Sequence, residues 1–332
     1  MEALRPMRLG EILDRTFQMY RERFWLFAAS WMPLALAMCG LEIADAYGFH
    51  FTKLLRTKNT GEAILWNGVV GLAYFHISSV LSALVMPAVA LHVSDALLGR
   101  RHSAVEGFVA CLRRWYRFLW LGVLRTGLVL VAVELLTVVA MFGVFGIFLA
   151  LGEKNPRGWD AVLVVSPMFG GIAAFLWIGA CLSLAVPACT LEDLSAWTSI
   201  QRSWKLSRDS RARVTLTWLS ITVASWIAWG TVRWALRWIL YFLWSGLHLH
   251  LWKPVYPTIT YVAYTAFAVF IGPIYPMFVT LIYYDQRIRK EGFDIEWMMQ
   301  SAGMVESSMA PAQAAESVPE ELAPVPVEEA GA

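Results

Sequence analysis

Charge is what this chain of 332 residues has least of: Asp, Glu, Lys and Arg together supply 16% of it, against 58% hydrophobic residues. A soluble domain carries about 25% charged residues to cover its surface, so a water-soluble fold does not fit this composition. Cysteine is scarce as well. Cys39, Cys111, Cys181 and Cys189 form no CxxC pair and have no neighbouring His, which argues against a zinc or redox motif and leaves buried, inert thiols. No Walker loop, GxSxG elbow, HExxH helix or Rossmann fingerprint occurs, so no catalytic constellation, cofactor or metal is expected. Finally, Ser301 to Ala332 contains no Lys or Arg but carries Glu306, Glu316, Glu320, Glu321, Glu328 and Glu329; the net charge of +2 therefore conceals a basic body. In a membrane protein that excess is explained by segments facing anionic phospholipid, and nucleic acid is not an expected partner.

What the sequence does contain is long apolar runs, each pair preceded by a basic amphipathic segment. The unit is clearest from Ser103 to Arg117, SAVEGFVACLRRWYR. Val105, Phe108, Val109, Leu112 and Trp115 recur at helical spacing, Arg113, Arg114 and Arg117 fill the other face, and Ser103 with Glu106 matches a capping box. Arg8 to Arg23 and Ser195 to Arg213 repeat the plan. The spacing predicts an all-α integral membrane bundle of about six transmembrane helices in three pseudo-repeats, each preceded by a cytoplasmic amphipathic helix. The spans are expected at about 24–43, 69–93, 118–151, 161–189, 214–233 and 259–284, within a membrane domain over 1–300. Asp45 to Trp66 reads as a polar connection, and the fifth span is expected to emerge near Arg233. Ser103-Ala104 matches Ser195-Ala196, Pro87-Ala88 matches Pro187-Ala188, and Leu91 to Asp95 resembles Leu281 to Asp285. Residues 301–332, rich in Ala, Pro and Glu, read as a disordered cytoplasmic tail.

Counting Lys and Arg gives a roughly threefold bias toward the segments that hold the amphipathic units, which places both termini and all three units in the cytoplasm of an inner-membrane protein. Leu36 to Cys39 faintly resembles a lipoprotein cleavage site, but Met38 is large for its position and Glu11, Asp14 and Glu22 precede it; Phe24 onward is expected to be a retained anchor.

Two stretches carry a family resemblance: LGEILDRTFQMYRERF from Leu9 to Phe24 and LIYYDQRIRKEGFDIEWM from Leu281 to Met298. Both resemble the ends of the glycerophosphoryl diester phosphodiesterase membrane-domain family and related six-helix bacterial membrane proteins, and QRSWKLSR from Gln201 to Arg208 is similar to a middle motif of that group. The resemblance implies a membrane module only. The soluble catalytic barrel of the enzymes in that family would need about 250 residues, and no such stretch is present.

Three groups of residues are candidates for function. Glu134 lies inside an apolar run, and with Glu42, Asp45, Arg233 and Arg237 it falls toward the outer side as a candidate polar pocket for a lipid headgroup or small solute; the bland alternative is an ion pair of Glu134 with Arg233 that fixes packing. Arg15, Arg113, Arg114, Arg117, Arg202, Lys205 and Arg208 are expected to face lipid. Asp285, Arg287, Arg289 and Lys290 form a charged juxtamembrane cluster, either a docking point or a solvated helix end. His248 and His250, flanking Leu249, are a weak metal candidate. The leading expectation is a non-catalytic, lipid-interacting or complex-organising module, with a membrane-protein partner or a second copy as possible companions. A transporter subunit is the first alternative, suggested by Pro87, Pro187, Pro273 and Pro276, and an intramembrane enzyme is the second.

Overall fold

The computed structural model describes residues 5–44, 47, 60–99, 103–151, 159–246 and 256–301, and among these every regular element is helical. The first amphipathic segment is α1 (Leu9–Glu22), which buries Ile12, Thr16 and Met19. After a bend at Arg23 comes α2 (Phe24–Ala44), apolar on all sides as a bilayer requires and continuous through Pro33. α3 (Thr60–Leu98) starts earlier than expected, inside the stretch that reads as a polar connection. The second unit is α4 (Ala104–Arg113) followed by α5 (Trp115–Leu151), and the capping box is present: Ser103 Oγ accepts from the Glu106 N–H at 3.2 Å, and Glu106 Oε2 accepts from the Ser103 N–H at 3.0 Å.

The fourth expected span is two helices, α6 (Trp159–Leu182) and α7 (Ala185–Leu191), because the chain breaks at Ser183-Leu184 just ahead of Pro187. The third amphipathic helix is α8 (Ala196–Ser207), again with a serine at its start, Ser195 Oγ accepting from the Thr198 N–H. The matched Ser103 and Ser195 thus do the same work in two repeats. α9 (Arg211–Gly246) runs on past Arg233, where the span was expected to end. The sixth expected span is also divided, into α10 (Tyr256–Ile271) and α11 (Ile274–Glu291), by Gly272-Pro273. α12 (Phe293–Ser301) follows Gly292, whose φ of 65° ends α11 in the left-handed conformation.

Among the described residues five helical stretches are long and apolar enough to cross a membrane: Phe24–Ala44, Ala73–Leu98, Trp115–Val133, Phe169–Leu191 and Thr258–Glu291. The chain is a multi-pass membrane protein. α9, expected to carry the fifth span, is less apolar than these five, being rich in Trp, Ser and Thr and holding Arg211, Arg213, Arg233 and Arg237. It nevertheless stands in line with the others. Neighbouring contacts run α2 to α3, α3 to α5, α5 to α6, α6 to α9, α9 to α10 and α10 back to α2, a closed ring of six.

Three segments that follow a proline or a helix break, the end of α3 past Pro87, α7 and α11, meet at one end of that ring. The C-terminal part of α3, α7 and α11 pack on one another along a shared seam, lined by Val89, Val93, Leu184, Ala188, Phe278 and Ile282, all essentially inaccessible. Polar groups cross the seam too: the Tyr284 hydroxyl donates to Ser94 Oγ at 2.8 Å. The repeated motif Leu91 to Asp95 and Leu281 to Asp285 is therefore the same part of this plug in two repeats, with Asp95 and Asp285 both buried.

Candidate functional site

The plug occupies the end of the ring where α1, α4 and α8 lie, and a cavity of about 450 Å³ lies beside it within the ring. Every one of the six ring helices contributes: Trp31 from α2, Ser79 and Ser82 from α3, Arg125 and Thr126 from α5, Phe175 and Gly179 from α6, Trp218, Thr222 and Trp229 from α9, Ala268 from α10. Along α3 the lining runs from Phe75 to Met86, about 16 Å at 1.5 Å per residue. The breaks adjoin the cavity, for Leu182 and Ser183 line it beside α7, and Gly272 and Tyr275 beside α11. Pro187 and Pro276 have no N–H, so the carbonyls of Ser183 and Gly272, four residues earlier, are denied the usual helical donor at the cavity wall.

Close packing sets the wall. Gly272 is covered by the indole of Trp31; a Cβ on Gly272 would fall 1.9 Å from Trp31 Nε1. Gly122 lets α5 approach α3 so closely that a Cβ there would meet Ala83 Cβ at 2.9 Å and the Val80 carbonyl oxygen at 3.0 Å. That approach sets Arg125 and Thr126 against Ser79: Thr126 Oγ1 is 3.1 Å from Ser79 Oγ, and Arg125 Nη2 is 3.4 Å from it. Opposite, Trp218 Nε1 donates to the Tyr275 hydroxyl at 2.8 Å. Around an otherwise aromatic and aliphatic chamber, the polar groups are thus one guanidinium, several hydroxyls and His76. Such a chamber is suited to a molecule that is mostly apolar with one polar end.

The candidate outer pocket is placed elsewhere. Asp45 and the side chain of Glu134 lie outside the described residues, as do His248 and His250. Glu42 is half-buried and close enough to Arg233 for the two charges to interact, Arg233 stacks on the Tyr264 ring at 4.9 Å, and Arg237 is exposed; none of the three lines the cavity. Arg125 is the residue that sequence reasoning passed over. It was visible as an interruption of the third run, and the hydroxyl-rich ISSVLSAL of α3 was the signal that a polar surface stood ready to face it.

The basic end is held by ion pairs, and here several expectations change. Arg202 was expected to face lipid but turns inward, forking onto Glu192 at 2.8–3.1 Å and reaching Glu291 at 2.8 Å. Burial works against its charge, but the Glu192 and Glu291 hydrogen bonds outweigh it and hold its pKa above the ordinary value. Arg287 pairs with Glu291 at 3.3 Å and Glu192 at 3.7 Å, and the Tyr283 hydroxyl donates to Glu192. Arg114 and Arg117 both pair with Asp193 rather than standing free toward lipid. Arg15 is partly buried; Arg113, Lys205 and Arg208 are exposed.

Asp285, 1% exposed, accepts from the Met7 N–H at 2.9 Å and from Arg289 Nε at 3.0 Å and pairs with Arg213 at 3.3 Å, while the Met7 carbonyl accepts from Arg213 and Arg289. Lys290 reaches Asp209 at 3.2 Å. The charged cluster after the last span is therefore spent on tying α11 to the N-terminal segment, α8 and α9. Comparison with protein-family models, with curated proteins and with solved structures finds no match.

Proposed function

We propose that this is a non-catalytic lipid-interacting membrane module that holds a lipid-like amphiphile inside its helix ring. The observation that carries the reading is the cavity to which all six ring helices contribute, of a size within the roughly 300–1,000 Å³ of small-molecule sites. A helix bundle whose task was only to organise neighbours would be expected to fill its centre, as protein interiors do. The orientation we propose puts the basic end in the cytoplasm of an inner membrane, on the excess of Lys and Arg there. The exposed apolar side chains of α4, Val105, Leu112 and Trp115, together with Arg113, suit a helix lying in the anionic inner leaflet. Kinship with the glycerophosphoryl diester phosphodiesterase membrane domains is proposed on the two end motifs and the middle motif from Gln201 to Arg208.

A second reading, a transporter or permease subunit for the same amphiphile, is favoured by the helix breaks at the cavity wall, the feature by which transporters combine a site with movable half-helices. The test of the first reading is photo-crosslinking in proteoliposomes with a diazirine-bearing monoacylglycerol. Competable label is expected on peptides covering 75–86 and 125–129; label confined to the ring's outside, such as Val131 and Leu216, would refute an internal site. For the second, proteoliposomes containing a fluorescent phospholipid are exposed to a membrane-impermeant reductant. Loss of well over half of the fluorescence supports translocation, and loss of only the outer half argues for holding without transfer.

A further inference from the structure

We infer that Arg125 is the recognition residue of the cavity and that the polar end of its ligand is an oxyanion, phosphate or carboxylate, carried by a molecule with an apolar chain. The inference rests on the cavity reading above and adds the ligand's charge. Arg125 lies ten residues into α5, about 15 Å along the helix from the basic end and well within membrane depth. An ionised group there is costly unless it is paired or faces a polar cavity.

At the basic end the inward-turned cations are partnered within the protein: Arg202 has Glu192, Arg287 has Glu291, Arg213 and Arg289 share Asp285, and Arg211 lies over the Trp204 and Trp177 rings at 5.0 and 5.8 Å. Among the described residues no carboxylate pairs with Arg125, whose hydrogen bond there is the long one of 3.4 Å to a neutral serine. Among the described residues Arg125 is the one Lys or Arg that lines the cavity, and the long bond to Ser79 leaves most of its donor capacity unused by the protein. Its planar fork matches two oxygens of a phosphate or carboxylate. Ser79 and Thr126 beside it can add hydroxyl donors, and Phe75, Trp226 and Trp229 supply wall for a hydrocarbon chain.

The arrangement also orients the ligand. Arg125 and Ser79 sit on the α3–α5 side, while Trp226 and Trp229 lie further along α9, away from the basic end. The anionic head is thus held deep and the chain extends toward the opposite face. A neutral lipid of the same chain would leave the fork unmatched, and a free anion would leave the aromatic wall empty.

Native mass spectrometry of the full-length protein in a neutral detergent tests this with three probes at equal concentration: lysophosphatidate, the monoacylglycerol of the same chain, and inorganic phosphate. The wild-type protein is expected to retain lysophosphatidate about tenfold or more over monoacylglycerol, since charged hydrogen bonds are the strong ones. Inorganic phosphate should displace little of it, whereas full displacement would identify a free anion as the ligand source. In Arg125→Met the preference is expected to fall to within about twofold while monoacylglycerol retention stays unchanged; an undiminished preference overturns the inference and leaves the cavity reading standing. If wild-type protein retains neither lipid, both readings fail together. Should Arg125→Met not fold, phenylglyoxal modification of the wild-type chain decides. Lysophosphatidate, but not monoacylglycerol, must shield Arg125 on peptide mapping, and equal modification with and without it sinks the assignment.

Discussion

Arg125 and Arg202 differ in one respect that decides what each can do: whether, among the described residues, a carboxylate meets the guanidinium. That difference was not legible in the sequence, where both are arginines near apolar residues. Glu134 drew attention because a carboxylate in an apolar run stands out, but the ring turns Arg125, and not the other candidates whose side chains are described, onto the cavity. The matching hydroxyls come from α3, far away along the chain, so only the fold could bring them together. A smaller residue, Gly272, is as constrained. Gly272→Ala would drive a methyl into Trp31 and is expected to destabilise by about 1–3 kcal/mol, read as a lower midpoint of thermal unfolding in detergent; Gly10→Ala, where a Cβ meets nothing within 4 Å, serves as the reference. An unchanged midpoint in Gly272→Ala would mean that Trp31 does not cover the break.

The Glu11 carboxylate makes a prediction about pH. Its Oε2 accepts the Arg8 backbone N–H at 2.8 Å and its Oε1 the Arg5 guanidinium at 3.0 Å, and the backbone bond, followed by Arg5, holds its pKa below the ordinary value. A lowered carboxylate pKa contributes above the unfolded value of about 4.3 and is lost as pH falls through the folded one. The start of α1 should therefore be secure at neutral pH and loosen only below about pH 4. Carbon-13 NMR titration of the Glu11 side chain, with a midpoint at or above the ordinary value, would contradict this.

Among the helices, the amphipathic units were the most readable elements, because a capping box and a basic face are local. Where a span breaks was not readable. Pro33 and Pro87 sit inside continuous helices, whereas the chain divides ahead of Pro187 and at Gly272-Pro273; the same residue type has different outcomes because neighbouring helices decide whether freed carbonyls are tolerated. α8 shows a related limit: its two tryptophans, Trp197 and Trp204, face outward, and a face of small and serine residues packs inward, with Ser203 Oγ donating to the Cys181 carbonyl at 2.6 Å. Docking of α8 therefore rests on Arg202 as well as on the buried Ile200 and Leu206 of that face. Arg202→Ala leaves Arg287 as the remaining cation shared by Glu192 and Glu291 and is expected to cost about 2–3 kcal/mol, below the roughly 3–5 kcal/mol of a broken buried pair because Arg287 stays and part of the Arg202 guanidinium is exposed. Arg113→Ala, on an exposed side chain, should stay within about 0.5 kcal/mol. Equal unfolding midpoints for the two variants would show that the pairing carries no weight.

Across the entire chain, the class of protein and the order of its helices were legible in hydropathy, since that is a sum over long windows that single residues cannot upset. The ring, the seam and the cavity depend on pairings between repeats and were out of reach. The proposed orientation predicts that single cysteines placed at Arg113 and Lys205 react from the same side of sealed vesicles, and one at the exposed Tyr47, at the far end of α2, from the other. Labelling of the first two from opposite sides would undo the topology.

The seam has a kinetic meaning as well. The ends of α3, α7 and α11 meet as the blades of an iris meet, and interdigitated side chains resist the withdrawal of one blade while the others stay in place. On the transporter reading proposed above, passage toward the basic end would have to widen the seam in a single concerted event, and intermediate apertures would be short-lived.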